Sequence, residues 1–224
     1  MPGGVALVAR RGRLLVMFGE RVLTLQEYLM HEPLPLATIQ EAVLDFVRGR
    51  GDVAVFGAQA VNAYVDEPRM TQDVDLLSPR ASELAEELRA QLATRFRIAV
   101  RVRRVGERGF RLYQIRTPKN RHLVDIRPVA QLPPTQDFEG LLVVAPAELV
   151  AAKVIAFQRR RNQPKSGTDW RDLAMLLLAF PDLKAKEGPV RDRLRAADAD
   201  AEVVQAWEEI VDREILPEDE EGEF

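Results

Sequence analysis

Cysteine is absent from the 224 residues, and histidine occurs only twice, at His31 and His122. The first absence excludes disulfide scaffolds and Cys-based zinc sites, and it suits a reducing cytoplasm. The second leaves two histidines too few and too scattered for a His-ligated metal centre. No apolar run approaches the ~18 residues that a membrane span needs. The opening M-P-G-G-V-A-L-V-A-R-R lacks a positive segment followed by an apolar one, so no secretory leader is expected. Ser78 and Ser166 have no neighbouring histidine to make a nucleophile of either.

Apolar residues make up 46% of the chain, enough for one domain or two small ones. The net charge of −3 hides an asymmetry. Between Arg89 and Arg171 lie 18 of the 32 Lys+Arg but only 6 of the 35 Asp+Glu. The middle of the chain can attract a polyanion and the ends cannot, unless the basic residues form only solvated faces.

Turn residues and hydrophobic periodicity divide the chain into four parts. Residues 1–35 form a strand-rich extension, with short strands at 5–9, 14–18 and 22–25. Residues 36–145 form a core. Helices are expected over 38–48, 58–64 and 82–93, and strands over 53–56, 74–77, 96–105, 111–116 and 122–126. Residues 146–216 read as helical, over 147–161, 169–179, 190–196 and 201–215. Residues 217–224 form an acidic tail. This order implies an α+β fold, a mixed sheet with flanking helices followed by a helical C-terminal part.

The chemistry concentrates in residues 56–77, F-G-A-Q-A-V-N-A-Y-V-D-E-P-R-M-T-Q-D-V-D-L-L. Asp73 and Asp75 are two apart on an expected strand, so they project from one face. Two crowded carboxylates need a compensating charge, and a hard divalent cation such as Mg2+ or Mn2+ supplies it. Asp125 sits in the apolar run H-L-V-D-I-R-P and can complete the group if its strand lies beside the first. Otherwise it pairs with Arg127 or Arg121. Gly57, where a strand meets a helix, permits a close approach of backbone to a phosphate.

These segments resemble the nucleotidyltransferase fold of the polymerase-β superfamily, and within it the AbiEii-type toxins of type IV toxin–antitoxin systems. The likeness rests on F-G-A-Q-A-V-N-A-Y and P-R-M-T-Q-D-V-D-L-L, and it spans about 53–178. It implies Asp73, Asp75 and Asp125 as catalytic metal ligands, with Asp125 helping to activate the acceptor hydroxyl. It also implies nucleotide contacts from Gly57, Ala58, Arg69, Thr71 and Lys153, with Asp169 or Asp172 following on the next helix. Ala58 stands where the family has a second glycine, which implies altered phosphate binding, and the interval from Gly57 to Asp73 is long for the family. From the residues themselves, Arg69 can instead pair with Asp66 or Glu67, Lys153 can snorkel from an apolar face, and Asp169 can simply open its helix.

The implied activity is transfer of an NMP from an NTP to a hydroxyl acceptor, with the basic segment pointing to RNA. The alternative is a non-catalytic nucleotide- or partner-binding module on the same fold. A third possibility is an interaction protein that binds an antitoxin or itself.

Overall fold

The computed structural model describes residues 34–217. The strands expected at 5–9, 14–18 and 22–25, and the tail beyond 217, lie outside these residues.

Among the described residues, seven strands form one mixed sheet in the order β3-β4-β5-β2-β1-β7-β6. Helix α1 (Leu36–Val47) leads into β1 (Ala54–Phe56), the short helix α2 (Gly57–Asn62) and β2 (Val74–Ser78). Then come α3 (Ala81–Phe96), β3 (Val100–Arg104), β4 (Phe110–Gln114), β5 (Arg121–Pro128), β6 (Thr135–Phe138) and β7 (Leu141–Val144). Helices α4 (Pro146–Arg159), α5 (Lys165–Ala179), α6 (Pro189–Ala196) and α7 (Ala201–Asp212) follow. The α+β reading holds.

Strands β2 and β5 pair in parallel, as do β1 and β7, while the remaining neighbours are antiparallel. One face of the sheet is apolar. Val74 and Leu76 of β2, Leu112 of β4, and Val124 and Ile126 of β5 are all fully buried. They pack towards α3, whose Leu84, Leu88 and Leu92 repeat at the four-residue spacing that lines one helix face. Ile39 and Val43 of α1 join that core. Burying each of these large side chains is worth about 1.5–3 kcal/mol, so this layer fixes the register of the sheet.

The sequence reading omits β6 and β7 and extends β3 too far. Helix α3 runs on to Phe96, and Arg97 ends it in a left-handed conformation (φ 53°). The β6–β7 hairpin turns on Glu139 and Gly140, both at positive φ (54° and 85°). Two consecutive left-handed residues define the tight turn that suits a twisted hairpin, and here only the second is glycine. Helix α5 starts at Lys165, so Asp169 is not its cap; it lies inside the helix and is buried. No helix among the described residues is long and apolar enough to cross a membrane.

Candidate active site

The second face of the sheet carries the charged residues. Asp75 of β2 stands directly opposite Asp125 of the parallel neighbour β5. Paired residues in adjacent strands share a face, so the two carboxylates are side by side. Asp73 lies two residues before Asp75, just ahead of the start of β2 and not on the strand itself. Its carboxylate still reaches the same cluster. The three acids expected to converge do so.

A β-bulge brings in a fourth group. Leu112 pairs with Val124 but the next residue, Tyr113, pairs with His122, so β5 holds an extra residue at Leu123. Regular alternation would put His122 and Asp125, three apart, on opposite faces. The extra residue places both on the charged face. His122 Nδ1 donates to Asp73 Oδ2 at 3.1 Å, and Nε2 donates to Asp125 Oδ1 at 3.0 Å. One ligand atom from each of Asp73, His122 and Asp125 lies within 4.8 Å of the others. His122 thus stands among the acids, a placement that its position in the sequence does not announce.

Arginines complete the neutralisation. Arg111, opposite Asp125 on β4, donates through Nε and Nη2 to both its oxygens at 2.6 and 2.7 Å. This bidentate geometry is the strong form of the pair. Arg111 thus takes the place expected for Arg127 or Arg121. Arg127 instead stacks over the Phe56 ring at 5.1 Å and approaches Asp75 Oδ1 at 3.5 Å.

These partners set the protonation states. Burial pushes Asp75 above the usual carboxylate range, Arg127 opposes that rise, and Asp73 and Asp125 reinforce it. Burial also acts to raise Asp125, but His122 and Arg111 outweigh it and hold the group well below that range. Asp73 is lowered, since the His122 bond overcomes its burial. For His122, burial disfavours the charge, yet the bonds to Asp125 and Asp73 prevail and push it up to about 9.

Gly57 is required for steric reasons. Its φ is +69°, and an added Cβ would run into Asp75 Oδ2 with Asp75 Cγ 2.8 Å away. The glycine turn therefore abuts the central carboxylate. Ala58 follows it in α2, which is only a turn and a half long. Thr71 is tied down by Gln59 Nε2, which donates to its Oγ1 at 2.8 Å, and by Gln40 Nε2, which donates to its carbonyl at 3.0 Å. Thr71 thus anchors the segment entering β2.

Arg69 and Lys153 meet elsewhere. Arg69 donates to both oxygens of Asp172 at 2.6 and 2.8 Å, and not to Asp66 or Glu67 side chains. Lys153 Nζ donates to Asp172 Oδ2 at 2.5 Å. Asp169 accepts from Arg160 at 2.6 Å. Asp172 is 1% and Asp169 3% exposed. Burial acts to raise Asp172, and Arg69 and Lys153 overcome it and lower it. Asn62 holds the Arg69 backbone from both sides, its Nδ2 donating to Arg69 O at 2.8 Å and its Oδ1 accepting from Arg69 N at 3.1 Å. A clasp of α2, the following loop, α4 and α5 thus stands beside the acid cluster.

The seven-stranded mixed sheet with flanking helices is a nucleotidyltransferase-like fold. A sequence model described as nucleotidyl transferase AbiEii toxin, type IV TA system, matches residues 42–222, and the chain belongs to that family. Comparison with curated proteins gives no match. Among solved structures, the chain is similar to the Megavirus polyadenylate synthase (TM-score 0.56, 16% identity, 70% of this chain and 34% of that one). It thus spans about a third of that protein. It is also similar to JHP933 from Helicobacter pylori (TM-score 0.52, 14% identity, 84% of this chain and 90% of that one). At these identities the likenesses show the fold alone.

Proposed function

We propose that the protein transfers a nucleoside monophosphate from an NTP to a hydroxyl acceptor, and that the reaction depends on Mg2+ or Mn2+. Membership of a nucleotidyltransferase family supports nucleotidyl transfer as the chemistry. The observation that carries the site assignment is the convergence of Asp73, Asp75 and Asp125 on one face, with Gly57 against Asp75.

Three carboxylates offer the hard oxygen donors that a divalent cation takes, so the residues fit such an ion, held by Asp73, Asp75 and Asp125. The ion supplies neutralisation of phosphate charge and Lewis acidity. The rest falls to the chain. The acceptor oxygen forms a bond to the α-phosphorus as the bond from that phosphorus to the pyrophosphate oxygen breaks. The hydroxyl proton goes to a carboxylate. Asp125, beside Asp75 on the parallel strand, is the acid proposed to help activate that hydroxyl. Gly57 and Ala58 admit the phosphates closely, Thr71 keeps the segment before β2 in place, and Arg69 and Lys153 present cations from the Asp172 clasp.

The proposed acceptor is an RNA, on the strength of the basic middle segment. The family's toxin description supports an antitoxin as a protein partner, and the cysteine-free chain suits the cytoplasm. Incubation with α-labelled NTPs, Mg2+ and total RNA tests the reading. Wild type is expected to label the RNA, and Asp73→Ala and Asp75→Ala are expected to abolish labelling. No transfer by wild type, or equal transfer by the variants, sinks it.

One observation favours a second reading, a nucleotide-binding module without turnover. His122, Arg111 and Arg127 already balance the three acids. Calorimetry separates the two. Metal-dependent NTP binding with no product release supports the module.

A further inference from the structure

The charged face does not end at the acids. Cross-strand pairing runs in one row from Asp75 to Asp125 to Arg111 to Arg103 on β3, the outermost strand on that side among the described residues. A second row, one pleat along, runs from His122 to Tyr113 to Arg101. Directly paired residues share a face, so Arg101 and Arg103 stand on the face that bears the catalytic acids. Val102, between them, points to the opposite face and pairs with the buried Leu112.

Arg101 and Arg103 are exposed, and neither forms an ion pair with an acid among the described residues. This distinguishes them from Arg111, which is committed to Asp125. Between Arg97 and Arg127 the chain has ten Lys+Arg against two acids, Glu107 and Asp125. Asp125 is already bound by Arg111 and His122, and the exposed Arg101 and Arg103 give this part of the face a positive field. Between the free arginines and the acids lies Tyr113, half-buried, its ring 5.5 Å from that of His122. Basic side chains with an interleaved aromatic ring are the arrangement that follows a single strand, phosphates on the cations and a base on the ring.

We propose that the outer face of β3 and β4 is a docking track for a single-stranded RNA end, with Arg101 and Arg103 contacting its phosphates and Tyr113 stacking a base. The track rests on the transferase reading for its purpose, since its inner end lies where an acceptor hydroxyl has to meet Asp75 and Asp125. The occupant follows from charge and shape. A polyanion matches the unpaired arginines, an extended strand matches cross-strand rows that run straight to the acids, and RNA offers free single-stranded ends where cellular DNA is duplex.

Fluorescence anisotropy with a labelled single-stranded RNA of about a dozen nucleotides, without NTP or metal, tests the track apart from catalysis. Wild type is expected to bind with a steep salt dependence. Arg101→Glu with Arg103→Glu is expected to weaken binding about tenfold and, by removing two phosphate contacts, to flatten the log–log salt slope by about 1.4. Tyr113→Ala is expected to weaken binding with little change of slope. Asp73→Asn is expected to keep binding even if it loses transfer. Unchanged binding by the double arginine variant, with its melting temperature intact, overturns the track. So does tighter binding of a blunt RNA duplex than of the single strand, or no binding by wild type. If RNA binds as expected but is never labelled in the presence of NTP, the transferase reading fails and the track stands.

Discussion

At the scale of single residues, the site depends on positions where one atom matters. Gly57→Ala places a methyl against the Asp75 carboxylate at a backbone φ of +69°. We expect it to cost about 1–3 kcal/mol in urea unfolding and to weaken metal binding, because either the turn or Asp75 has to shift. The pH dependence follows from His122. Its folded pKa, about 9, lies above the unfolded value of about 6.5, so the stability it contributes is fully present below the unfolded value. That contribution is lost as pH rises through the folded value. The groups facing it are Asp73, Asp125 and the Tyr113 ring, and the two acids stay ionised over this range. Unfolding free energy of the metal-free protein is therefore expected to fall between neutral pH and about 9, and His122→Gln is expected to remove much of that fall. The convergence of Asp73, Asp75 and Asp125 was legible because alternation and strand adjacency are both sequence patterns. His122 was not, because a bulge at Leu123 breaks the alternation that sequence reading relies on.

At the scale of elements, the clasp between the α2–β2 loop and α4–α5 is the connection most open to test. Asp172 is buried and accepts from both Arg69 and Lys153. Asp172→Ala leaves two cations without their acceptor, and we expect it to destabilise the protein by about 3–5 kcal/mol, as read by chemical denaturation. A loss below about 1 kcal/mol would show that the clasp is not structural. Arg69 and Asp172 are 103 residues apart, so no local pattern links them. The sequence could offer only Asp66 and Glu67 as neighbours. The β6–β7 hairpin was missed for a related reason. Its turn is Glu139–Gly140, and glutamate is not a residue that announces a left-handed turn. The helices were legible, since Leu84, Leu88 and Leu92 repeat at helical spacing, although their ends shifted by several residues.

At the scale of the whole molecule, the sheet has one apolar face and one charged face, and both run across its central strands. The charge asymmetry visible in the sequence becomes spatial here, with arginines of β3 and β4 leading to carboxylates of β2 and β5. The three carboxylates are proposed as a metal-dependent nucleotidyl-transfer site. The most direct measurement is a crystal soaked with manganese and a non-hydrolysable NTP, read by anomalous diffraction. Manganese is expected among Asp73, Asp75 and Asp125, with the triphosphate beside Gly57 and with His122 and Arg111 displaced from the acids. Nucleotide bound elsewhere, or an acid cluster still closed by His122 and Arg111 with no anomalous peak, would contradict it.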